Sequence, residues 1–350
     1  MKPVPTIAQR SFCVISFPCA NANTNRVNGN IILHHAKSDE GKMAEKEIKM
    51  ERQLLPGQRC VVNIGYTDGR PAEEIYTTTD ILLEAPNWHP VTGDLLLNGD
   101  GLLWTLPATG GQLTKLEIAG LPPVNNDHVL SPDPNYVYAS ANDFHIYEAK
   151  LDGSQPARKI TEDDTEHAKY FMHFLHGVSP DNQTLAFVAL GWNEPPSFTT
   201  PLDINEVFTV PTAGGPAAQI TETIGGVDGP EYTPDGEWIY LNSEHFSGQR
   251  GNAQICRMPA AGGPLEQLTF DANVNWFPHF AADGKHAVYL AFPPGTKGHP
   301  ANLPVAIKVV ADDWQKPIAE YSFFGGQGTV NVNSWAPDGT RFAFVSYPIE

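Results

Sequence analysis

One short pattern recurs six times along the chain and restricts the folds open to it. It reads Asn87-Trp88-His89-Pro90-Val91-Thr92-Gly93, then Ser131-Pro132-Asp133, Ser179-Pro180-Asp181-Asn182 and Thr233-Pro234-Asp235-Gly236. It closes with Ala281-Ala282-Asp283-Gly284 and Ala336-Pro337-Asp338-Gly339. Measured from the proline, or from Ala282 in its place, the steps are 42, 48, 54, 48 and 55 residues. Self-similarity at that pitch marks a repeat architecture. Each copy is a tight turn, because Pro presets φ, Asp bonds its own backbone and Gly accepts φ > 0. An alternating strand follows, as in Glu237–Leu241 or Thr340–Val345, then a third strand such as Gln254–Met258, a Gly-Gly turn and a short fourth strand. Four antiparallel strands in 40 to 50 residues make one blade of a β-propeller.

The two ends of the chain fit together in this scheme. The sixth copy stops after two strands, while Cys60–Ile64 and Glu74–Thr78 stand unassigned ahead of the first blade. The N-terminal pair should therefore complete the last blade and close the ring, which removes the open sheet edge. The expected fold is all-β: a single six-bladed propeller over residues 58–350, after an irregular or disordered extension over 1–57.

Composition agrees and excludes several functions. With 31 Gly and 31 Pro in 350 residues, helix interiors would be interrupted throughout. A net charge of −18 argues against a nucleic-acid partner, which would require clustered Lys and Arg. No apolar run approaches the length needed to span a bilayer as a helix, so no transmembrane segment is expected.

The N-terminus allows two readings. Met1–Arg10 carries two positive charges, Ser11–Cys19 is mildly apolar, and Ala20-Asn21-Ala22 has the small-x-small form of a cleavage site. Pro18 and two serines interrupt that stretch. It is a weak signal peptide, or else a disordered tail or a start codon assigned too early. The cysteines outside it, Cys60 and Cys256, fall in different blades, and no Cys-x-x-Cys spacing exists. Lone core thiols favour the cytoplasm, and a working signal would place the chain in the periplasm or outside the cell.

The turn followed by an aromatic-rich strand resembles the TolB-type propeller repeat, and more closely its small stand-alone branch. The stretches that carry the resemblance are Glu84–Trp88, Asn125–His128, His176–Asp181, Asp228–Glu231, Trp276–His279 and Gly325–Thr329. It covers all six blades and implies the fold. For function it implies little, since propellers host binding modules, lyases and hydrolases. TolB itself carries an α/β domain before its propeller, and the fifty residues here are too few and too irregular for one. A role in the cell-envelope complex is therefore not implied.

Candidate chemistry gathers just before each turn, where the first strands converge on one mouth of the central channel. Four places back from the turn proline stand Pro86, His128, His176, Pro230, Pro278 and Asn333. Three back are Asn87, Val129, Gly177, Glu231, His279 and Ser334; six back are Glu84, Asn126, Phe174, Asp228, Trp276 and Asn331. A core-facing register would be apolar, so a polar mouth points to a ligand. The expected ligand-binding residues are Glu84, Asn126, Asp127, Asp228, Glu231, Trp276, Gln327 and Asn333. Three readings stay open: a pocket for a small polar ligand such as a carbohydrate, a divalent metal site, and a purely structural ring of hydrogen bonds.

As a metal site, His128, His176 and His279 would be ligands for Zn, Mn or Fe, with Asp127, Asp228 or Glu231 as a fourth ligand or base. Oligogalacturonate lyase, a related propeller family, builds a metal site from channel histidines, and that resemblance implies a metal-dependent carbohydrate lyase or hydrolase as the alternative function. The long loops Gly191–Asp203 and Phe292–Pro304 lie on the same face as candidate lids. The first reading is a binding module for a small polar ligand or a protein partner. No Gly-x-Ser-x-Gly marks a serine hydrolase.

Overall fold

The computed structural model describes residues 52–197, 200–248, 251–311 and 313–349, and the backbone of 12–15, 31–34 and 47–49. The expectation for residues 1–57 therefore lies for the most part outside the described residues. Phe12–Ile15, Ile31–His34 and Glu47–Lys49 pair antiparallel in that order, separately from the blades. Among the described residues there is no helix, hence none long and apolar enough to cross a membrane.

Five four-stranded antiparallel sheets follow one another along the chain. Blade 1 comprises Glu84–Trp88, Asp94–Gly99, Leu102–Pro107 and Thr114–Lys115. Blade 2 comprises Val124–Leu130, Tyr136–Ala141, Ile146–Lys150 and Arg158–Lys159. Blade 3 is Tyr170–Val178, Thr184–Trp192, Ile204–Pro211 and Ala218–Gln219. Blade 4 is Val227–Tyr232, Trp238–Ser243, Gln254–Pro259 and Glu266–Gln267. Blade 5 is Val274–Phe280, Ala287–Phe292, Ala301–Val310 and Ala319–Gly326. Blade 6 joins the two ends: Arg341–Ser346 pairs with Cys60–Tyr66, which pairs with Glu73–Thr78. The ring closes as expected, and the fold is a six-bladed β-propeller.

The repeated turns do what their residues dictate. In blade 4, Thr233 Oγ1 donates to Asp235 Oδ1 at 2.6 Å and the Glu237 N–H donates to the same oxygen at 3.0 Å. Gly236 sits at φ 74°, Gly284 and Gly339 at 66°, and Asn182 takes that left-handed place in blade 3 at 58°. Each second strand is buried on both faces, as with Leu95, Leu96 and Leu97, because it lies between neighbouring blades. Trp88 and Trp335 join that inter-blade core.

Two departures from regular blades shape the channel. First, every inner strand of blades 1 to 5 carries a bulge at the same height: between Glu84 and Asn87, Val124 and His128, Leu175 and Gly177, Asp228 and Glu231, and Trp276 and His279. Ala85, Gly229 and Phe277 occupy the equivalent bulge position at φ 51°, 60° and 55°. A bulge re-aims the side chains on either side of it. Second, the inner strand of blade 6 shrinks to a single bridge, Trp335 to Phe342. In its place residues 327–334 form buried turns, with Val330, Asn331 and Val332 almost wholly enclosed.

Candidate functional site

The bulges split the channel residues into two hydrogen-bonded groups. Residues just before a bulge stand nearer the mouth, and those just after it stand deeper.

The deeper group bonds mostly within itself, and His128 Nε2 is its buried nitrogen without a partner. Glu231 Oε2 lies 2.6 Å from His279 Nδ1, while its Oε1 accepts the Phe280 N–H at 2.9 Å and Asn333 Nδ2 at 2.8 Å. His279 Nε2 faces the Val330 carbonyl at 3.0 Å. Asn333 also donates to the Phe280 carbonyl at 2.7 Å and accepts the Trp335 N–H at 3.1 Å. His128 Nδ1 donates to Asn87 Oδ1 at 2.8 Å, and Asn87 Nδ2 reaches the Asn333 carbonyl at 2.8 Å. Burial pushes the His128 imidazole down to about 3, so it is neutral. Glu231, Asn333, His279 and His128 thus tie blades 1, 2, 4, 5 and 6 together.

The group at the mouth is different. His176, the extra residue of the blade 3 bulge, donates from Nε2 to Asp228 Oδ1 at 3.0 Å. His299, from the loop before the third strand of blade 5, reaches Asp228 Oδ2 from its own Nε2 at 3.4 Å. His299 Nδ1 is 2.5 Å from Gln327 Oε1, which also accepts Asn331 Nδ2 at 3.1 Å. His176 Nδ1 faces the Asn331 carbonyl at 3.4 Å. Aromatic rings wall this clasp: Phe277 stacks on His176 at 5.8 Å, and Trp276 packs on His299 at 4.5 Å. Glu84 accepts from Arg52, Asn98 and Asn126.

The electrostatics follow from these contacts. Burial opposes charge on His176, but the hydrogen bond and charge of Asp228, with Asp127 adding to it, raise its imidazole to about 9. Burial likewise opposes charge on Asp228, yet His176 and His299 together hold that carboxyl well below the usual range. Asp127 is the exception. It is only 5% exposed, interacts electrostatically with His176, Asp228, His299 and Glu84, and its carboxylate has no hydrogen bond among the described residues. Burial raises it to about 6. The indole Nε1 of Trp276 is also buried without a partner.

The structure therefore divides the expected site. Glu84, Asn126, Asp127, Asp228, Trp276 and Gln327 come together at the mouth with His176. Glu231 and Asn333 lie in the deeper group and have their hydrogen bonds filled by protein. His128, His176 and His279 do not converge: they belong to different groups, and most of their ring nitrogens face protein partners. Among the described residues no group of three or more His, Cys, Asp and Glu is arranged to hold a metal, so the residues present do not fit a divalent ion. Trp192 packs among Met172, Phe174 and Leu190 and presents no open face. His299 and Arg52 stand outside the expected set, and Asn331 is counted at the mouth but not among the expected ligand-binding residues. His299 was visible only as part of a long loop, and nothing local marks Arg52.

Comparison with known proteins supports the fold and its branch. No family model matches the chain. An uncharacterized protein of Agrobacterium fabrum is 32% identical over 279 residues, 78% of this chain and 87% of that protein. A solved structure from Agrobacterium tumefaciens, named for TolB, is 31% identical with a TM-score of 0.69 and covers 83% of this chain and 99% of that one. Oligogalacturonate lyase in complex with manganese shares 12% identity at a TM-score of 0.50, over 83% of this chain and 78% of that one, which is a likeness of fold alone. The sequence relative, the TolB-named structure and the closed six-blade ring together make this chain a member of the TolB-like family of stand-alone propellers.

Proposed function

We propose that the chain is a binding protein whose channel mouth captures a small polar ligand bearing hydrogen-bond donors. One observation carries this reading: Asp127 is an almost wholly buried carboxylate whose oxygens meet no donor among the described residues, with the partnerless indole N–H of Trp276 at the same mouth. Burying an unpartnered polar group is costly, and such sites are held where a ligand supplies the missing bond. Sugar hydroxyls or a compact cation would satisfy Asp127, with Asn126 and Gln327 beside it and the Trp276 ring as an apolar wall. Calorimetric titration with neutral sugars, amino sugars and small amines tests this. Binding should weaken at least tenfold in D127N; failure of every class at millimolar concentration, or binding indifferent to D127N, overturns it.

A protein partner is the second reading. Ile224, Phe246 and Phe270 are 77%, 43% and 61% exposed on loops at the mouth end of blades 4 and 5. A partner whose binding survives replacement of all three by serine would remove it. Metal-dependent lyase chemistry gains no support from imidazoles already engaged with protein. Cys60 and Cys256 are buried free thiols, each pushed up to about 12 by burial, and we place the chain in the cytoplasm on that ground. Recovery of a chain cleaved near residue 22 from outside the cytoplasm would move it.

A further inference from the structure

One basic side chain at the mouth comes from outside the blades. Arg52 precedes Cys60–Tyr66, and the segment between is anchored. Leu54 packs on the core shared by blades 6 and 1, and Gln58 Nε2 donates to Asn302 Oδ1 at 2.7 Å and to the Tyr347 carbonyl at 2.9 Å. From that anchor Arg52 turns inward. Its Nη1 donates to Glu84 Oε1 and to the Gln327 carbonyl, and its guanidinium carbon lies 5.1 Å from the centre of the Tyr347 ring.

The receiving groups are built independently of Arg52. Glu84 is fixed by Asn98 Nδ2 and Asn126 Nδ2, each at 3.3 Å, from two different blades. The Tyr347 hydroxyl donates to the Leu83 carbonyl at 2.9 Å. Gly328 leaves the space open, since a Cβ there would stand 2.6 Å from the Tyr347 oxygen and 2.7 Å from Arg52 Nη1. A carboxylate, a backbone carbonyl and an aromatic face are the partners that suit a planar guanidinium. Arg52 reaches the carboxylate and the carbonyl through Nη1 alone, and it also interacts with the Tyr347 hydroxyl. Asp127, coupled electrostatically to Glu84, waits unpartnered beside this cradle.

We propose that Glu84, the Gln327 carbonyl and the Tyr347 ring form a guanidinium subsite, filled in the free protein by Arg52, and that the ligand of the mouth is a guanidinium-bearing small molecule that displaces it. This rests on the reading of the mouth as a ligand site, and narrows it. The ligand would bring a group that satisfies Glu84 as Arg52 does, and a further donor for Asp127. The net charge of −18 favours the approach of a cation.

L-arginine is the probe, with the full chain. Arginine should bind R52A at least tenfold more tightly than wild type, since the internal competitor is gone. L-lysine and neutral sugars should gain nothing, and R52A/E84Q should lose the gain. In wild type, arginine should speed amide hydrogen exchange over residues 52–58, because Arg52 no longer ties that segment to the mouth. Equal arginine affinity in R52A and wild type, or exchange there indifferent to arginine, overturns the proposal. Should R52A not fold, R52K removes the fork and keeps the charge; a smaller gain in arginine affinity is then expected, and none overturns it. Sugar binding that depends on Asp127, without arginine binding, would sink the guanidinium subsite and leave the ligand site standing. Absence of all binding would sink both.

Discussion

His176 and Asp228, from blades 3 and 4, form a buried ion pair at 3.0 Å in which the second nitrogen of the imidazole faces the Asn331 carbonyl. With acceptors on both sides the ring carries both protons. The pair thus locks the two neighbouring blades to the irregular segment of blade 6. It also fixes the orientation of Asp228, whose other oxygen takes His299.

Removing one partner of such a pair leaves the other charge buried alone. D228N should therefore cost about 3–5 kcal/mol in urea unfolding at pH 6. The pH dependence has a definite sign. His176 is raised to about 9 in the fold from an ordinary 6.5, so its contribution is whole below about pH 6.5 and is lost as pH rises through 9. Wild type should lose stability between pH 7 and 9.5, and D228N should be nearly flat there. An equal slope in both would remove the ion pair as its cause.

Asp127 predicts the opposite response to substitution. Its folded value of about 6 stands above the ordinary 3.8, so its ionisation works against the fold as pH rises through 6. D127N has no proton to lose. It should be more stable than wild type by about 2–3 kcal/mol at pH 7.5, and the difference should vanish at pH 4. Melting curves at the two pH values check this. A site that gains stability when its carboxyl is neutralised has been kept for something other than folding.

The blades were legible because their signal is local. Pro-Asp-Gly fixes a turn from four residues, and the alternation after it fixes a strand; neither needs distant contacts. Closure was legible because unpaired strands stood at both ends. The division of the mouth was not, for two physical reasons. Counting back from the turn assumes a regular strand, and the bulges shift that count differently: blade 3 extrudes His176 alone, while blade 2 sets Asn125, Asn126 and Asp127 against a single residue. His128 and His176 therefore share a place in the count and end in different groups. The other reason is blade 6, where turns replace the expected inner strand and present the carbonyls of Gln327, Val330, Asn331 and Asn333 to Arg52, His279, His176 and Asn87. Backbone acceptors used in this way have no signature in residue type.

Close packing between blades 3 and 4 sets a further expectation. A Cβ on Gly177 would stand 2.7 Å from the Pro230 carbonyl oxygen and 3.3 Å from the Glu231 Cα. Neither belongs to a flexible side chain, so G177A must push the two blades apart. The cost should be about 1–3 kcal/mol. G248A is the control, because nothing among the described residues lies within 4 Å of a Cβ there and its φ is outside the left-handed region, and it should change stability by less than about 0.5 kcal/mol. Comparable losses in both variants would mean that helix-free loops, and not the blade contact, limit stability.

Asn333 separates the deeper group from the proposed ligand group at the mouth. Its side chain donates to Glu231 Oε1 and the Phe280 carbonyl and accepts the Trp335 N–H, so N333A takes a partner from three polar groups at once, although Glu231 Oε1 keeps the Phe280 N–H. A loss of about 2–4 kcal/mol is expected, since unsatisfied buried groups carry their full desolvation cost. Asn126, at the mouth, has a weaker structural part: its amide meets Glu84 Oε1 at 3.3 Å and its oxygen meets Gln327 Nε2 at 3.5 Å. N126A should cost little stability and weaken ligand binding, while N333A, assayed well below its melting point, should bind as wild type does. Denaturation and calorimetry on the two variants give four numbers, and the crossed pattern is required: if N333A lost binding and N126A kept it, the deeper ring, with Glu231 and His279, would have to be the ligand site after all.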